Sequence, residues 1–351
     1  MKVLFLTDLH HRQNDFHIKY QLQFLKGLIP LIEEHGVDCI IGGGDYNNDR
    51  TVVNVEVQNL VKAAYMELRK KVKYFKVIAG NHDCYYTTTN KQNSLRLLFP
   101  FLSDNDIIDM KPQKFENLIL IPRMNESNMT KMTNFVSAFN KPENFLFGHF
   151  EFSGMKMNGG HECTTTHLFK SDYSSYAQIY SGHFHGYQKK GNITYPGDPY
   201  QKDFGEVERK FLLILDTATG EETWIENDKA IYVKLSISPD MTDEAIKEKF
   251  NLFDVSGKHL KLYIDSEDSN YIDNVERILD TFSPYWVSTS TKHAQVSDTD
   301  INNVEEKDER SICTEFLDMM TYDNENMRTL VTDEFMRSYD KAKSEIPTEE
   351  N

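Results

Sequence analysis

The chain has 351 residues, 39% of them hydrophobic and 27% charged, with a formal net charge of −16. That is ample material for a packed core, at a length suited to two domains or to one large domain with appendages. The acidity argues against a free-standing nucleic-acid coat, which needs surplus Lys and Arg to neutralise phosphates, but not against a nuclease whose positive charge comes from metal or from a partner.

In chain order, short apolar runs alternate with longer helical patterns, as in α/β layered folds. Strands are expected at 3–6, 39–41, 74–79, 118–121, 145–147, 178–180, 193–195 and 211–215. Helices are expected at 17–34, with a kink at Pro30, and at 52–71. From Ile231 the pattern becomes strand, helix, strand, helix (231–237, 243–250, 260–264, 271–281), with Thr242 as N-cap of the first helix. The polar run 288–300 reads as a linker. Residues 298–351 hold 16 Asp/Glu against 6 Lys/Arg and form a separate compositional unit. Two amphipathic stretches in it, 311–320 and 327–339, are too short to stand alone. They read as folding back on the body or as a helix-in-groove dock on a partner. No apolar run reaches the ~20 residues of a membrane span, and the opening run is too short for a signal peptide. The four cysteines, Cys39, Cys84, Cys163 and Cys313, show no paired zinc spacing and fit buried thiols in a reducing cytoplasm.

The residues just beyond the apolar runs carry the chemistry. The runs lead into Asp8-Leu9-His10, Gly44-Asp45, Gly80-Asn81-His82-Asp83, Gly148-His149 and Gly182-His183-Phe184-His185. Binding sites of open α/β sheets form beyond the carboxyl ends of strands, and glycine allows the close backbone approach a crowded site needs. Carboxylate, imidazole and amide oxygen without thiolate suit ions such as Mn²⁺ or Fe²⁺ better than a structural zinc. Seven candidates (Asp8, His10, Asp45, Asn81, His149, His183, His185) are too many for one octahedral ion with an open position. They suit two ions sharing a bridging carboxylate. Each motif alone is weak; their ordered conjunction is not.

These blocks resemble the calcineurin-like metallophosphoesterase superfamily. The resemblance implies an α/β fold, a four-layer α/β/β/α sandwich with a small α+β cap domain and a C-terminal helical tail. The expected divisions are 1–228 for the metallophosphoesterase domain, 229–287 for a DNA-facing cap, 288–310 for the linker and 311–345 for a helix–loop–helix docking segment. It further implies that Asp8, His10, Asp45 and His185 hold one ion and Asp45, Asn81, His149 and His183 the other. His82 would be the general acid, oriented by Asp83, a role suited to a group that titrates near neutrality.

The second block, Gly44-Asp45-Tyr46-Asn47-Asn48-Asp49-Arg50, departs from the protein-phosphatase pattern, and the third ends in Asp83. The layout, with residues 148–154, 181–185, 195–199 and Glu206…Lys210-Phe211, resembles instead the Mre/SbcD family of DNA-repair nucleases, most closely its T-even-type phage members. That resemblance implies a Mn²⁺-dependent DNA exonuclease and endonuclease (Mg²⁺ being the alternative metal), a subunit of an SbcCD-like recombination and repair complex. Its partners would be DNA and an SbcC-like coiled-coil ABC-type ATPase bound through the tail. A homodimer within a heterotetramer is implied, in the cytoplasm, and in the host cytoplasm if the chain is phage-encoded. Asn48 stands where some members carry a histidine tied to exonuclease activity, and Asp198 where cellular members often have Ser or Thr. Lys70, Lys71, Lys73, Lys76, Lys189 and Lys190 read as a solvated basic rim, His11 and His17 as close supports of the first block, and His161 and His167 as loop residues able to touch substrate. The competing readings are a small-substrate phosphodiesterase or phosphatase on the same core, and a silent scaffold for the ATPase.

Overall fold

In β1 (Lys2–Leu6) the period-two rule of a strand sends Val3 and Phe5 to one face and Leu4 and Leu6 to the other, and all four are buried. A strand apolar on both faces needs cover on both sides, and the layers supply it. The computed structural model describes residues 1–12, 15–158, 160–164, 173–206, 208–291, 328, 329, 332 and 335–337. After β1 come α1 (Asp15–His35), β2 (Cys39–Gly42), α2 (Val55–Arg69), β3 (Tyr74–Ile78), α3 (Leu95–Leu98) and β4 (Ile107–Ile108). Next are β5 (Gln113–Phe115), β6 (Leu118–Leu120), α4 (Met129–Ala138), β7 (Phe145–His149), β8 (Gln178–Gly182), β9 (Gln188–Lys190), β10 (Ile193–Tyr195), β11 (Lys210–Asp216) and β12 (Glu221–Asn227).

One six-stranded sheet has the order β12-β11-β1-β2-β3-β4, with β1 to β4 parallel; the other runs β5-β6-β7-β8-β10-β9. Val3, Phe5, Cys39 and Ile41 of the first meet Leu118, Leu120, Phe147 and Tyr180 of the second in one apolar layer, with the Phe5 and Phe147 rings 5.2 Å apart. Leu4, Leu6 and Ile40 pack outward on α1 and α2 residues such as Leu25, Leu28, Val61 and Tyr65. Ile119, Leu146 and Ile179 pack outward on Met132 and Val136 of α4. The expected α/β/β/α sandwich is present.

By contacts the chain forms two units, one of Met1–Leu235, Lys247–Lys261 and Leu279–Ser288, the other of Ser236–Ile246, Leu262–Ile278 and Thr289–Asn351. A three-stranded sheet has the order β13-β14-β15 (Tyr232–Ile237, His259–Ile264, Trp286–Thr291), with α5 (Asp243–Leu252) and α6 (Ser269–Asp280) between its strands. Within the second unit the Thr242 hydroxyl accepts the Ala245 N–H at 3.3 Å, the expected cap. The Tyr271 hydroxyl donates to the Ser238 carbonyl at 2.6 Å.

The expected helix is present as α1 and runs through Pro30: Pro30 and Lys26, whose carbonyl loses its donor, are both exposed, so water can serve that carbonyl. Two expectations change. Strand β15 takes in residues 288–291, the first part of the expected linker. Edge strands β5, β9 and β12 were not foreseen. The rest of the linker and the 311–320 helix lie outside the described residues; of 327–339, residues 328, 329, 332 and 335–337 are described, and they are helical. Cys39, Cys84 and Cys163 are buried and outside any disulfide, and Cys313 lies outside the described residues. Among the described residues, no helix is long and apolar enough to cross a membrane.

Candidate metal centre

The carboxyl ends of β1, β2, β3, β7 and β8 deliver the seven expected residues to one place. The loops after β1 and β2 are laced by backbone bonds from Asp8 N–H to the Gly44 carbonyl (3.0 Å) and from His10 N–H to the Asp45 carbonyl (2.9 Å). Asp8, His10, Asp45 and His183 all have positive φ, at 56°, 43°, 56° and 97°. Side chains rarely tolerate that region, and such strain gathers at functional sites. At Gly44, φ is +99°, and an added Cβ would lie 2.6 Å from the Gly80 nitrogen and 2.8 Å from His149 Nδ1. Only glycine fits where these loops meet.

Asn81 Oδ1 lies 2.9 Å from His149 Nε2 and 2.7 Å from His183 Nδ1. His149 Nδ1 faces the Gly43 carbonyl at 2.9 Å, which turns Nε2 toward Asn81 and, at 3.5 Å, toward Asp45 Oδ2. The same Asp45 oxygen is 3.6 Å from His10 Nε2, which is 3.9 Å from Asp8 Oδ1. The His10 and His185 rings stand 5.1 Å apart. One potential ligand atom from each member lies within 4.8 Å of the others in the groups Asp8–His10–His185, His10–Asp45–His82 and Asp45–His149–His183. Asp45 thus faces both sides of the site.

Two observations fit this pocket to divalent cations. His10 Nε2 is buried with no hydrogen-bond partner, and the donor set of carboxylates, imidazoles and an amide oxygen is the one such ions take. Electrostatics agree. Burial alone would raise Asp45, yet His149, His10 and His82 hold its carboxyl well below the ordinary range. Burial would lower His149, but the Asp45 carboxylate raises it to about 9. Burial, then the Lys202 charge, keeps His10 well below its ordinary value. The site sets buried carboxylate oxygens where they attract positive charge. These residues can bind metal.

His82 sits beside them, its ring 4.7 Å from that of His10 and its backbone N–H donating to Asp45 Oδ1 at 2.7 Å. Its Nδ1 meets the Asn48 carbonyl at 2.6 Å. The geometry corrects the expectation that Asp83 orients His82. The Asp83 carboxylate accepts three backbone N–H groups instead, from Asp45, Tyr46 and Gly80 at 2.8, 2.9 and 2.8 Å. It holds the β2 loop against the β3 loop, and the Asn48 backbone orients the His82 ring.

Sequence reasoning missed the groups that brace the imidazoles. Glu151 Oε1 lies 3.1 Å from His183 Nε2, and Glu206 Oε1 lies 3.4 Å from His185 Nδ1. Carboxylates behind ligand histidines fix ring and tautomer. The sequence placed Glu151 and Glu206 in stretches that resemble the nuclease family, but nothing in it tied either residue to a histidine. The expected basic rim is not free. Lys70, Lys71 and Lys189 pair with Glu67, Glu33 and Glu222, and Lys76 is buried against Asp106. Lys70 to Lys73 precede β3, at the end opposite the ligands. A cleft of about 560 Å³ opens beside His185, lined by Lys156, Asn158, Asp203, Glu206 and Glu208. A larger one, about 700 Å³, is lined by Phe16, Lys19, Lys229 and Tyr285 and includes none of the candidate ligands. His161 is exposed; His167 lies outside the described residues.

His11 points away from the site, 2.9 Å from the Tyr65 hydroxyl. Burial lowers it to about 4, so the unfolded chain takes up a proton here first as pH falls below 6.5. The stability difference between the parent and His11→Gln should therefore shrink by roughly 3 kcal/mol from pH 7 to pH 4. Urea melts of both proteins across that range measure it, and a constant difference would refute the assignment.

Comparison with known proteins gives the family. Residues 1–187 match the family described as calcineurin-like phosphoesterase. The chain is 25% identical over 237 residues to "Exonuclease subunit 1" of Enterobacteria phage T4, covering 65% of this chain and 68% of that one. It is 24% identical over 275 residues to "Putative phosphoesterase 078R" of Invertebrate iridescent virus 3, covering 75% and 76%. A solved dimetal phosphatase from Danio rerio aligns with a TM-score of 0.42 at 10% identity, over 61% of this chain and 91% of that one. The match extends over more than half of the sequence and takes in the ends of β1, β2, β3, β7 and β8 that carry the seven candidate residues, so this chain belongs to the calcineurin-like phosphoesterase family.

Proposed function

We propose that this protein is a Mn²⁺-dependent DNA nuclease subunit. Asp8, His10, Asp45 and His185 would hold one ion, and Asp45, Asn81, His149 and His183 the other. The observation that carries the reading is the single carboxylate, Asp45, facing His10 on one side and His149 on the other. The relative named as an exonuclease subunit supports DNA as the substrate. Two ions held there supply an activated water and neutralise phosphoryl charge.

The remaining work falls to this chain's own groups. Glu151 and Glu206 keep the His183 and His185 rings in place. With Nδ1 given to the Asn48 carbonyl, the protonated His82 ring donates from Nε2 to the departing 3′ oxygen. Because a backbone carbonyl does the orienting, asparagine at 48 does not impair it. The 229–287 segment is assigned as a DNA-facing cap, and the acidic tail as the dock for an SbcC-like ATPase in a dimer-based complex in the cytoplasm.

Hydrolysis of single-stranded and duplex DNA with Mn²⁺, Mg²⁺ or EDTA, with and without the cognate ATPase, tests the reading. Turnover of bis-p-nitrophenyl phosphate with no DNA cleavage under any condition would leave a small-substrate phosphodiesterase. His82→Ala should slow DNA cleavage on the order of 10²–10³-fold. It should barely slow the nitrophenyl ester, whose leaving group departs without a proton. Equal losses on both substrates would remove His82 as the acid.

A further inference from the structure

Outside the candidate ligands, a cluster of aromatic rings stands partly open to solvent. At its middle is the His259 ring, 4.3 Å from that of Phe16, 5.0 Å from Tyr232, 5.1 Å from Tyr285 and 5.9 Å from Trp286. Tyr285 and Trp286 are 56% and 45% exposed. Large rings grouped and left this open mark a binding surface.

Cations surround the rings. The cleft of about 700 Å³ against Phe16 and Tyr285 is lined by Lys19, Lys229 and Lys258, with Asp228 and Asp254 as its acids. Lys258 pairs with Asp254 at 3.2 Å. Among the described residues no carboxylate lies within ion-pair reach of Lys19 or Lys229. Lys261 Nζ stands 4.9 Å from the centre of the Phe204 ring, which is 6.0 Å from that of Trp286. In a chain of net charge −16, this local excess of lysine runs against the whole. The core of a protein interface is depleted of lysine, whereas open ring faces among cations suit an unpaired polynucleotide strand.

The cluster also adjoins the metal centre. Phe204 stands two residues after Lys202, whose Nζ lies 3.0 Å from each ring nitrogen of His185. Arg12, two residues after His10, gives Nη1 to the Lys202 carbonyl at 2.7 Å. The stretch 202–204 therefore meets the candidate ligands at one end and the rings at the other.

We infer that Tyr285 and Trp286, with Phe204 and Lys261 beside them, form a platform on which unpaired bases of a DNA strand stack while its backbone runs on to the metal centre. DNA as the ligand rests on the nuclease reading; the platform adds recognition of bases to it, and favours strands with unpaired ends over full duplex.

Full-length protein in EDTA, where metal-dependent cleavage is blocked, is titrated at low salt with oligo(dT) and with an abasic strand of equal length. Anisotropy of labelled strands and tryptophan emission with unlabelled ones report binding. Oligo(dT) should bind about tenfold tighter than the abasic strand and quench the emission. Trp286→Ala should weaken oligo(dT) about tenfold, leave the abasic strand unchanged and abolish the quenching, since Trp224 is the other of the two tryptophans. Trp286→Phe should regain most of the affinity. Lys261→Gln should weaken both strands alike and flatten the salt dependence. Equal affinity for the two strands in the parent, or quenching that persists in Trp286→Ala, would overturn the platform. So would a Trp286→Ala protein that keeps oligo(dT) but loses the cognate ATPase, which would assign the rings to a protein partner. If Trp286→Ala does not fold, Tyr285→Ala decides: oligo(dT) weakened with the abasic strand unchanged supports the platform, and any other result ends it. A parent that cleaves DNA with Mn²⁺ but does not tell the strands apart loses only the platform; one that stacks oligo(dT) but cleaves no DNA loses only the nuclease reading.

Discussion

Asp45→Asn should lower metal-supported hydrolysis on the order of 10³-fold or more, on DNA and on a nitrophenyl diester alike. Asp45 Oδ2 is 3.6 Å from His10 Nε2 and 3.5 Å from His149 Nε2, and Oδ1 accepts the His82 N–H. No other carboxylate among the described residues lies within ion-pair reach of both His10 and His149. Asparagine keeps the shape and can still accept from His82, so the loops stay in place, but it has no charge to share between two cations. Calorimetry should show fewer Mn²⁺ ions bound per chain, with a melting temperature close to that of the parent. A variant that retains kcat within tenfold of the parent would show that Asp45 bridges nothing.

Asp83→Ala acts on the frame. Three buried N–H groups, from Asp45, Tyr46 and Gly80, depend on this one side chain. Orphaning buried donors costs about 1–3 kcal/mol each, so a loss of about 3–9 kcal/mol is expected in urea melts, and activity falls with it. Asp83→Asn should cost much less. Its amide oxygen can keep the Asp45 and Gly80 donors that share Oδ2, although its amino group cannot accept from Tyr46, and the repulsion from Asp45 disappears; burial first, and then that repulsion, raise the Asp83 carboxyl to about 7 despite the three donors. If alanine and asparagine cost the same, the three hydrogen bonds are not what Asp83 contributes.

The convergence of the seven candidate residues was legible because each side chain stands directly after an apolar run, most beside glycine, and strand ends project such groups into one crevice. The braces were not. Glu206 lies in a stretch that resembles the nuclease family, but nothing local ties it to a histidine; only the fold sets it against His185. Asp83 misled for a similar reason. Adjacency to His82 suggested a pair, whereas the turn directs its carboxylate backward onto the amides of two loops. Among the elements, β1, β2 and β7 were plain as continuous apolar strands. Strands β5 (QKF) and β9 (QKK) are three-residue edges without an apolar run, and β12 (EETWIEN) carries acids on both faces. The amphipathic signal is weakest where a sheet meets water.

The left-handed backbone of Asp8, His10, Asp45 and His183 has a consequence for how cations would arrive. Holding such residues there costs of order 1 kcal/mol or more each, and the sandwich meets that cost during folding. The donors are therefore already aimed before any ion comes near. Metal uptake should proceed as entry into a finished mould, with loaded and metal-free proteins nearly superimposable around these four turns, and relaxing a single turn would blur the aim of every donor laced to it.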